Sequence, residues 1–295
     1  MNDEDLLIRP GRMIRLAELD QRFTCGFESK SDARDKLRSD IARLAKLQDV
    51  FTAVRSHALL IILQGMDSAG KDSAIKHVMS GINPQGVNVN SFKPPTEEED
   101  RHDFLWRCEK VLPERGRIGI FNRSYYEEVI VVRVHRELLA REAIALPQKD
   151  FWSERFEDIN AFERHLVRNG TVVLKFFLHI SKDEQRKRLL ERLDDADKNW
   201  KFSVNDVKER QHWDRYQFAY EQMINHTTTT WAPWYVVPAD HKWFVRAAIA
   251  DVLVAKLESL ELRYPRIEGA AAVLLRQIRA ELEAADARGE FTAEA

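Results

Sequence analysis

Apolar residues recur at Leu37, Ile41, Leu44, Leu47 and Phe51. That three-and-four spacing predicts an amphipathic helix over 32–57. It gives way at once to ALLIIL (58–63), wholly apolar, the pattern of a central parallel strand buried on both faces. VNVNSF (87–92) alternates as a strand does, and RIGIF (117–121), TVVLKFFLHI (171–180) and WYVVP (234–238) are three further strand candidates. Helical patterns separate them, at 96–112, about 126–139, 151–168, 183–193, 204–226 and 242–262. The first of these opens with Thr96, a suitable N-cap, followed by acids that suit a first turn. Strands alternating with helices predict a parallel sheet covered on both faces. Residues 1–30 are expected to form an N-terminal arm, 31–265 one domain with a helical lid at about 181–210, and 266–295 an Ala- and Glu-rich helix with a tail.

Composition narrows the partners. The chain has 295 residues, 44% hydrophobic and 32% charged, with a formal net charge of −2. No global field draws it to nucleic acid or to acidic lipid, so anion binding must come from a local cluster. No apolar run approaches the roughly 18 residues of a membrane span, and the acid-bearing N-terminus MNDEDLLIRPGRM has no signal-peptide core. Cys25 and Cys108 stand far apart without metal-like spacing. A cytoplasmic protein with reduced thiols is expected.

The chemistry starts at LQGMDSAGKDSAIKH (63–77), directly after the first strand. Gly65, Gly70 and Lys71 fit G-x-x-x-x-G-K, a loop whose backbone N–H groups and following helix cradle phosphate. The next residue should be Ser or Thr, to hold Mg²⁺; here it is Asp72, with Ser73 one place late and Asp67 inside the loop. A carboxylate beside a polyanion is repelled unless it faces a cation or handles a proton. Asp67 therefore reads as a metal organiser or as the group that orients the attacking oxygen. Asp72 reads equally as a helix cap or as a ligand of Mg²⁺ through water.

Two further clusters belong to the same rim. GIFNRSYYEE (119–128) follows the third strand, and parallel strands bring their C-terminal ends together. Arg123 there suits bidentate phosphate contact. Glu127 and Glu128 suit a metal, a ribose or a solvated helix start. In SKDEQRKRLLERLDDADKNWKFS (181–203), Arg188 and Arg192 share a helix face, as arginines that close over a transferring phosphoryl group would.

The runs QGMDSAGKDSAIKHVMSGINPQGV, SFKPPTEEE, IGIFNRSYYEEVIVVRVH, KNWKFS, DVKER and APWYVVPADHKW together resemble polyphosphate kinase family 2, from about 34 to 262. In that family the loop has the form G-x-D-x-x-G-K-D, so the missing hydroxyl is part of the pattern. The resemblance implies a P-loop NTPase-like α/β fold, a three-layer sandwich with a parallel sheet and a helical lid, similar to thymidylate kinase. It implies transfer of the terminal phosphoryl group between inorganic polyphosphate and a nucleotide, with Mg²⁺ or Mn²⁺ in its place, in a homo-oligomer (dimer or tetramer).

Carried over by position, Asp67 and Lys71 match the loop's functional acid and base, Arg123 the arginine after the third strand, and Arg188 and Arg192 the lid arginines. Gly65, Ala69, Gly70, Lys71, Asp72, Ser73, Lys76 and Lys93 are then the expected polyphosphate ligands. Asn122, Arg123 and Glu127 are the expected nucleotide ligands, and Asp67 and Glu127 the expected metal ligands. The subgroup acting mainly on nucleoside diphosphates has Asp-Arg-Ser-Trp-Tyr after this strand. Asn122 and Glu127 resemble instead the subgroup that accepts both AMP and ADP. Two rivals remain at this point: an ATP-dependent nucleotide kinase on the same fold, and a polyphosphate-binding protein without catalysis.

Overall fold

The computed structural model describes residues 3–142, 149–197, 199–201 and 203–287. Helix α1 (Lys30–Val54) begins where the Ser29 hydroxyl accepts from the Asp32 N–H, and ends at Arg55 in a left-handed conformation. After a short turn the chain enters β1 (Ala58–Gly65), in which every residue is buried. Strands β2 (Val87–Ser91), β3 (Ile118–Asn122), β4 (Thr171–His179) and β5 (Trp234–Pro238) join it in one parallel sheet of order β2-β3-β1-β4-β5.

Helices α1 and α2 (Lys71–Val78) both pack against α9 (Lys242–Glu258), while α4 (Glu127–Val134), α5 (Phe151–Arg168) and α8 (Trp213–Thr227) pack with one another. The sheet separates these two groups, giving the three layers expected of right-handed crossovers that change direction. Beyond β1 the chain runs to β2 at the edge and returns through β3, then crosses β1 to reach β4. The crevice at that reversal is where parallel sheets bind ligands.

Three expected helices are interrupted. That at about 126–139 ends at Val134, and a 3-10 helix, Arg136–Glu142, follows. Over 96–112 the structure has only a 3-10 turn (Glu99–Arg101) and a four-residue helix α3 (Trp106–Glu109). Thr96 does open a capping box, exchanging hydrogen bonds with Glu99. The helix then stops because His102 is extended and the Asp103 carboxylate accepts from Leu105 N–H, starting a new turn. Over 204–226, α7 (Val204–Glu209) is separated from α8 by a 3-10 turn, Arg210–His212. Arg210 there reaches across to the Lys182 carbonyl and the Gln185 side chain.

The N-terminal segment is extended and integral to the core. Leu6, Ile8, Ile14 and Leu16 are buried, and Leu7 bridges antiparallel to Tyr235 on the outer edge of β5. Met1–Leu262 form one compact unit, and Arg263–Ala295 a second that contains α10 (Ala270–Ala287). The expected lid comprises α6 (Lys182–Asp194), a 3-10 turn (Asn199–Lys201) and α7. Residues 1–2 of the arm, 198 and 202 of the lid and 288–295 of the tail lie outside the described residues. No described helix is long and apolar enough to cross a membrane.

Candidate active site

The loop between β1 and α2 needs its glycines. A Cβ at Gly65 (φ +150°) would stand 2.9 Å from the Leu178 carbonyl oxygen on β4, and Gly70 (φ +109°) makes the turn that starts α2. Lys71 folds back over the loop and donates to the carbonyls of Gly65 (2.6 Å) and Met66 (3.2 Å). Burial, seconded by the nearby Arg123 charge, lowers its pKa to about 8, although Asp67, Glu127 and Asp72 oppose the shift. Lys71 is thus held in place with a proton that a phosphate would stabilise.

Arg123, at the end of β3, has a left-handed backbone (φ +66°) and donates to Asp67 Oδ1 at 2.5 Å and Glu127 Oε2 at 3.5 Å. Glu127 is the larger influence holding its proton, with Asp67 adding, because Glu127 is the more enclosed of the two acids. Asp67, Lys71, Arg123 and Glu127 therefore converge, as the sequence led one to expect.

Two openings meet at Arg123. The larger, about 790 Å³, runs along the glycine loop and is lined by Ser68, Gly70, Lys71, Asp72, Ser73, Lys76, His77, Lys93, Arg188, Arg192, Lys242 and Arg246 among others. Its lining carries eight Lys or Arg residues against three acids, Asp67, Asp72 and Glu191. That excess is the local cluster that a near-neutral chain needs to hold a polyanion. The second opening, about 420 Å³, combines apolar walls (Val131, Val132, Leu138, Pro95) with His102, Arg107, His135, Asn205 and six acids, Glu99, Asp100, Glu127, Glu128, Glu137 and Glu209. Phe92, Lys93, Pro94 and Arg123 line both.

Three placements differ from expectation. Asn122, expected on the nucleotide side, lines the basic cleft and not the second opening, and its amide donates to Asp72 Oδ1 at 2.6 Å. Asp72 does not cap α2, whose N-cap is Gly70. Arg188, expected as a lid arginine, is 3% exposed, and all five of its N–H groups are occupied. They bind Glu184, the carbonyls of Ser68 and Ala69, and the carbonyls of Ala239 and Asp240. It braces the glycine loop against the turn after β5, because backbone carbonyls converge on it. Arg192 is more open and bonds Asp206 across to α7. Ala69 is buried, its N–H bonded to the Met66 carbonyl in the turn.

The sequence reading missed Ser68, Lys242 and Arg246. Arg246 donates to Ser73 Oγ at 2.9 Å, while its Nε and the Ser68 hydroxyl are buried with no hydrogen-bond partner among the described residues. Such orphaned donors at an anion cleft await a ligand. A signal existed: Lys242 and Arg246 are four apart at the start of the helix after β5, and that helix must begin on the rim.

For a divalent cation, no cluster of three His, Cys, Asp or Glu occurs among the described residues. Mg²⁺ does not require one, since it binds through one or two carboxylates, waters and substrate phosphates. Asp67 and Glu127 supply such a pair, and a void of about 30 Å³ lies against them and Arg123. The donor set fits.

The chain is similar to known proteins. Residues 27–265 match the family model Polyphosphate kinase 2 (PPK2). The chain is 48% identical over 275 residues to an ADP-polyphosphate phosphotransferase of Rhodopseudomonas palustris, covering 92% of this chain and 95% of the relative. It is 45% identical over 265 residues to an AMP/ADP-polyphosphate phosphotransferase of Meiothermus ruber, covering 90% and 96%. The crystal structure of polyphosphate kinase 2 from Arthrobacter aurescens TC1 superposes with a TM-score of 0.86 at 40% identity, over 94% of this chain and 96% of that one. With a family model matched over most of its length, relatives at 45% and 48% identity and a shared fold, the chain belongs to the polyphosphate kinase 2 family.

Proposed function

We propose that this protein transfers the terminal phosphoryl group of inorganic polyphosphate to AMP and to ADP, giving ADP and ATP in a reversible reaction. The observation that carries the reading is the junction of the two openings at Arg123. A polyanion fits the basic cleft, a nucleotide fits the mixed apolar and polar pocket, and Arg123 reaches the oxygens between them. Lys71 and the first-turn N–H groups of α2 neutralise the transferring group, where charge is spread over three equatorial oxygens. Arg246, Lys242, Lys76 and Lys93 hold the chain behind it, and Ser68 takes a phosphate oxygen. Asp67 and Glu127 would hold Mg²⁺, which supplies charge neutralisation between donor and acceptor phosphates.

Acceptor choice is the finer part, since one relative is named for ADP alone and the other for AMP and ADP. Resemblance to the dual-acceptor subgroup at Asn122 and Glu127 favours both acceptors, and of the two Glu127 is the one that lines the acceptor pocket. The test is a phosphorus NMR time course from AMP, Mg²⁺ and excess polyphosphate, with adenylate kinase shown to be absent. ADP followed by ATP is expected. ADP without ATP would mean an AMP-only enzyme, no reaction until ADP is supplied a diphosphate-only one, and equal rates with ATP as donor would replace the reading.

A further inference from the structure

Lys175 stands in the middle of β4, among the most apolar residues of the sheet, and is fully buried. Glu163 of α5 is also fully buried, and its Oε2 accepts from Lys175 Nζ at 2.7 Å. The remaining ammonium donors reach the Tyr126 hydroxyl (2.9 Å) and the Thr227 carbonyl (2.7 Å). Glu163 Oε1 in turn accepts from the hydroxyls of Tyr125 (2.9 Å) and Tyr126 (2.7 Å). The network is closed: every ammonium hydrogen and both tyrosine hydroxyls have partners.

Stability alone gives no reason for these ions. A buried pair loses so much hydration that apolar residues of similar volume are often as stabilising or more so. What ions and hydroxyls supply, and apolar groups do not, is direction. Tyr125 and Tyr126 lie in the segment that carries Arg123 at one end and Glu127 at the other: Tyr126 adjoins Glu127, and only Ser124 separates Tyr125 from Arg123. Arg123 has a left-handed backbone that a non-glycine residue keeps only when its surroundings hold it. Ser124, between Arg123 and the tyrosines, is fully buried and accepts from the Tyr126 N–H through its hydroxyl.

We infer that the Glu163–Lys175 pair is a positioning element for the acceptor side, fixing through the Tyr125 and Tyr126 hydroxyls where Arg123 and Glu127 stand. Neither ion touches substrate. The inference rests on the reading of the second opening as the nucleotide pocket, which Arg123 and Glu127 both line. The donor cleft shares Arg123 but draws its other seven basic residues from elsewhere, mostly α2, α6 and α9, so a loosened acceptor segment should leave polyphosphate binding nearly intact.

Two variants test this: Glu163→Leu/Lys175→Met, which removes the ions together, and Tyr125→Phe/Tyr126→Phe, which removes only the hydroxyls. For each, the thermal midpoint, KM for polyphosphate, KM for ADP, kcat, and the ADP dissociation constant by calorimetry without polyphosphate are measured. The expected result is a stably folded apolar variant whose kcat/KM for ADP falls at least about tenfold, with weaker ADP binding and a polyphosphate KM within about twofold of the unmodified protein. The tyrosine variant should show the same split, and carries the test alone if the apolar pair fails to fold. Unchanged ADP constants, or a fall in kcat that only follows the folded fraction, would overturn the inference. Unmodified protein that binds ADP but uses a donor other than polyphosphate would overturn the proposed reaction while leaving the positioning role measurable. Protein that binds no ADP would overturn both.

Discussion

The Asn122 amide lies 2.6 Å from Asp72 Oδ1, joining the end of β3 to the first turn of α2 across the basic cleft. A donor at position 122 lets an acid stand beside a polyanion site without a second acid facing it. Asn122→Asp would bring two carboxylates to hydrogen-bond distance, and like charges so placed repel strongly. Because Asn122 lies on the donor side, the expected outcome is a KM for polyphosphate raised by roughly tenfold and a greater need for Mg²⁺, with the fold intact. Steady-state kinetics over Mg²⁺ concentration checks this. A changed AMP-to-ADP rate ratio at unchanged polyphosphate KM would move Asn122 to the acceptor side.

Lys71 gives a pH dependence of defined sign. Its pKa is lowered to about 8 by burial, so kcat/KM should fall as pH rises through that value and the charge facing phosphate is lost. Stability runs the other way. Between about 8 and the ordinary lysine value the native state binds fewer protons than the unfolded chain, so stability increases with pH across that window. Activity profiles and thermal melts at matched pH check both limbs.

Lys71→Ala should remove about 3–4 kcal/mol of transition-state stabilisation, the scale of comparable electrostatic groups. The thermal midpoint should change little, because relief of the buried charge offsets the loss of its bonds to the Gly65 and Met66 carbonyls. A folded variant keeping a large share of turnover would show that the backbone N–H groups suffice.

Asp67→Asn keeps the shape, removes one carboxylate from the pair proposed for Mg²⁺, and weakens the hold on Arg123. Turnover should drop by roughly 100-fold, since metal-assisted charge stabilisation is worth several kcal/mol. Both side chains of the Arg123 pair are partly exposed, so the stability change should stay within about 1 kcal/mol. Near-normal rates at saturating Mg²⁺ would leave Asp67 as a turn former.

Arg188 and Arg192 should now behave differently. Arg188→Ala leaves four backbone carbonyls and Glu184 without their partner, an expected loss of about 2–3 kcal/mol in stability with activity lost through the loop. Lysine, with three donors, should restore only part. Arg192→Ala should change stability by about 0.5 kcal/mol or less and lower turnover if that arginine meets phosphate. Melts and kinetics on both variants separate brace from ligand.

Much of this molecule is legible in its sequence because the relevant signals are local. A wholly apolar run such as ALLIIL has few homes besides a central strand, and the glycines at 65 and 70 mark backbone that side chains would obstruct. Asp67, Lys71 and Arg123 follow from loop and strand-end positions, since a parallel sheet brings such ends to one rim. What only the tertiary structure decided depends on partners far away in the chain. Arg246 meets Ser73 from 173 residues beyond it, and no spacing announces that contact. Arg188 looked like a phosphate ligand because its charge is visible in the sequence, whereas the carbonyls that occupy it are features every residue shares. Thr96 formed its cap as expected, yet the helix ended at His102, where the Asp103 side chain takes over the backbone. Which side of the crevice Asn122 faces, and that Lys175 stands buried against Glu163, were settled only when strands and helices packed, because burial and direction belong to the assembled layers.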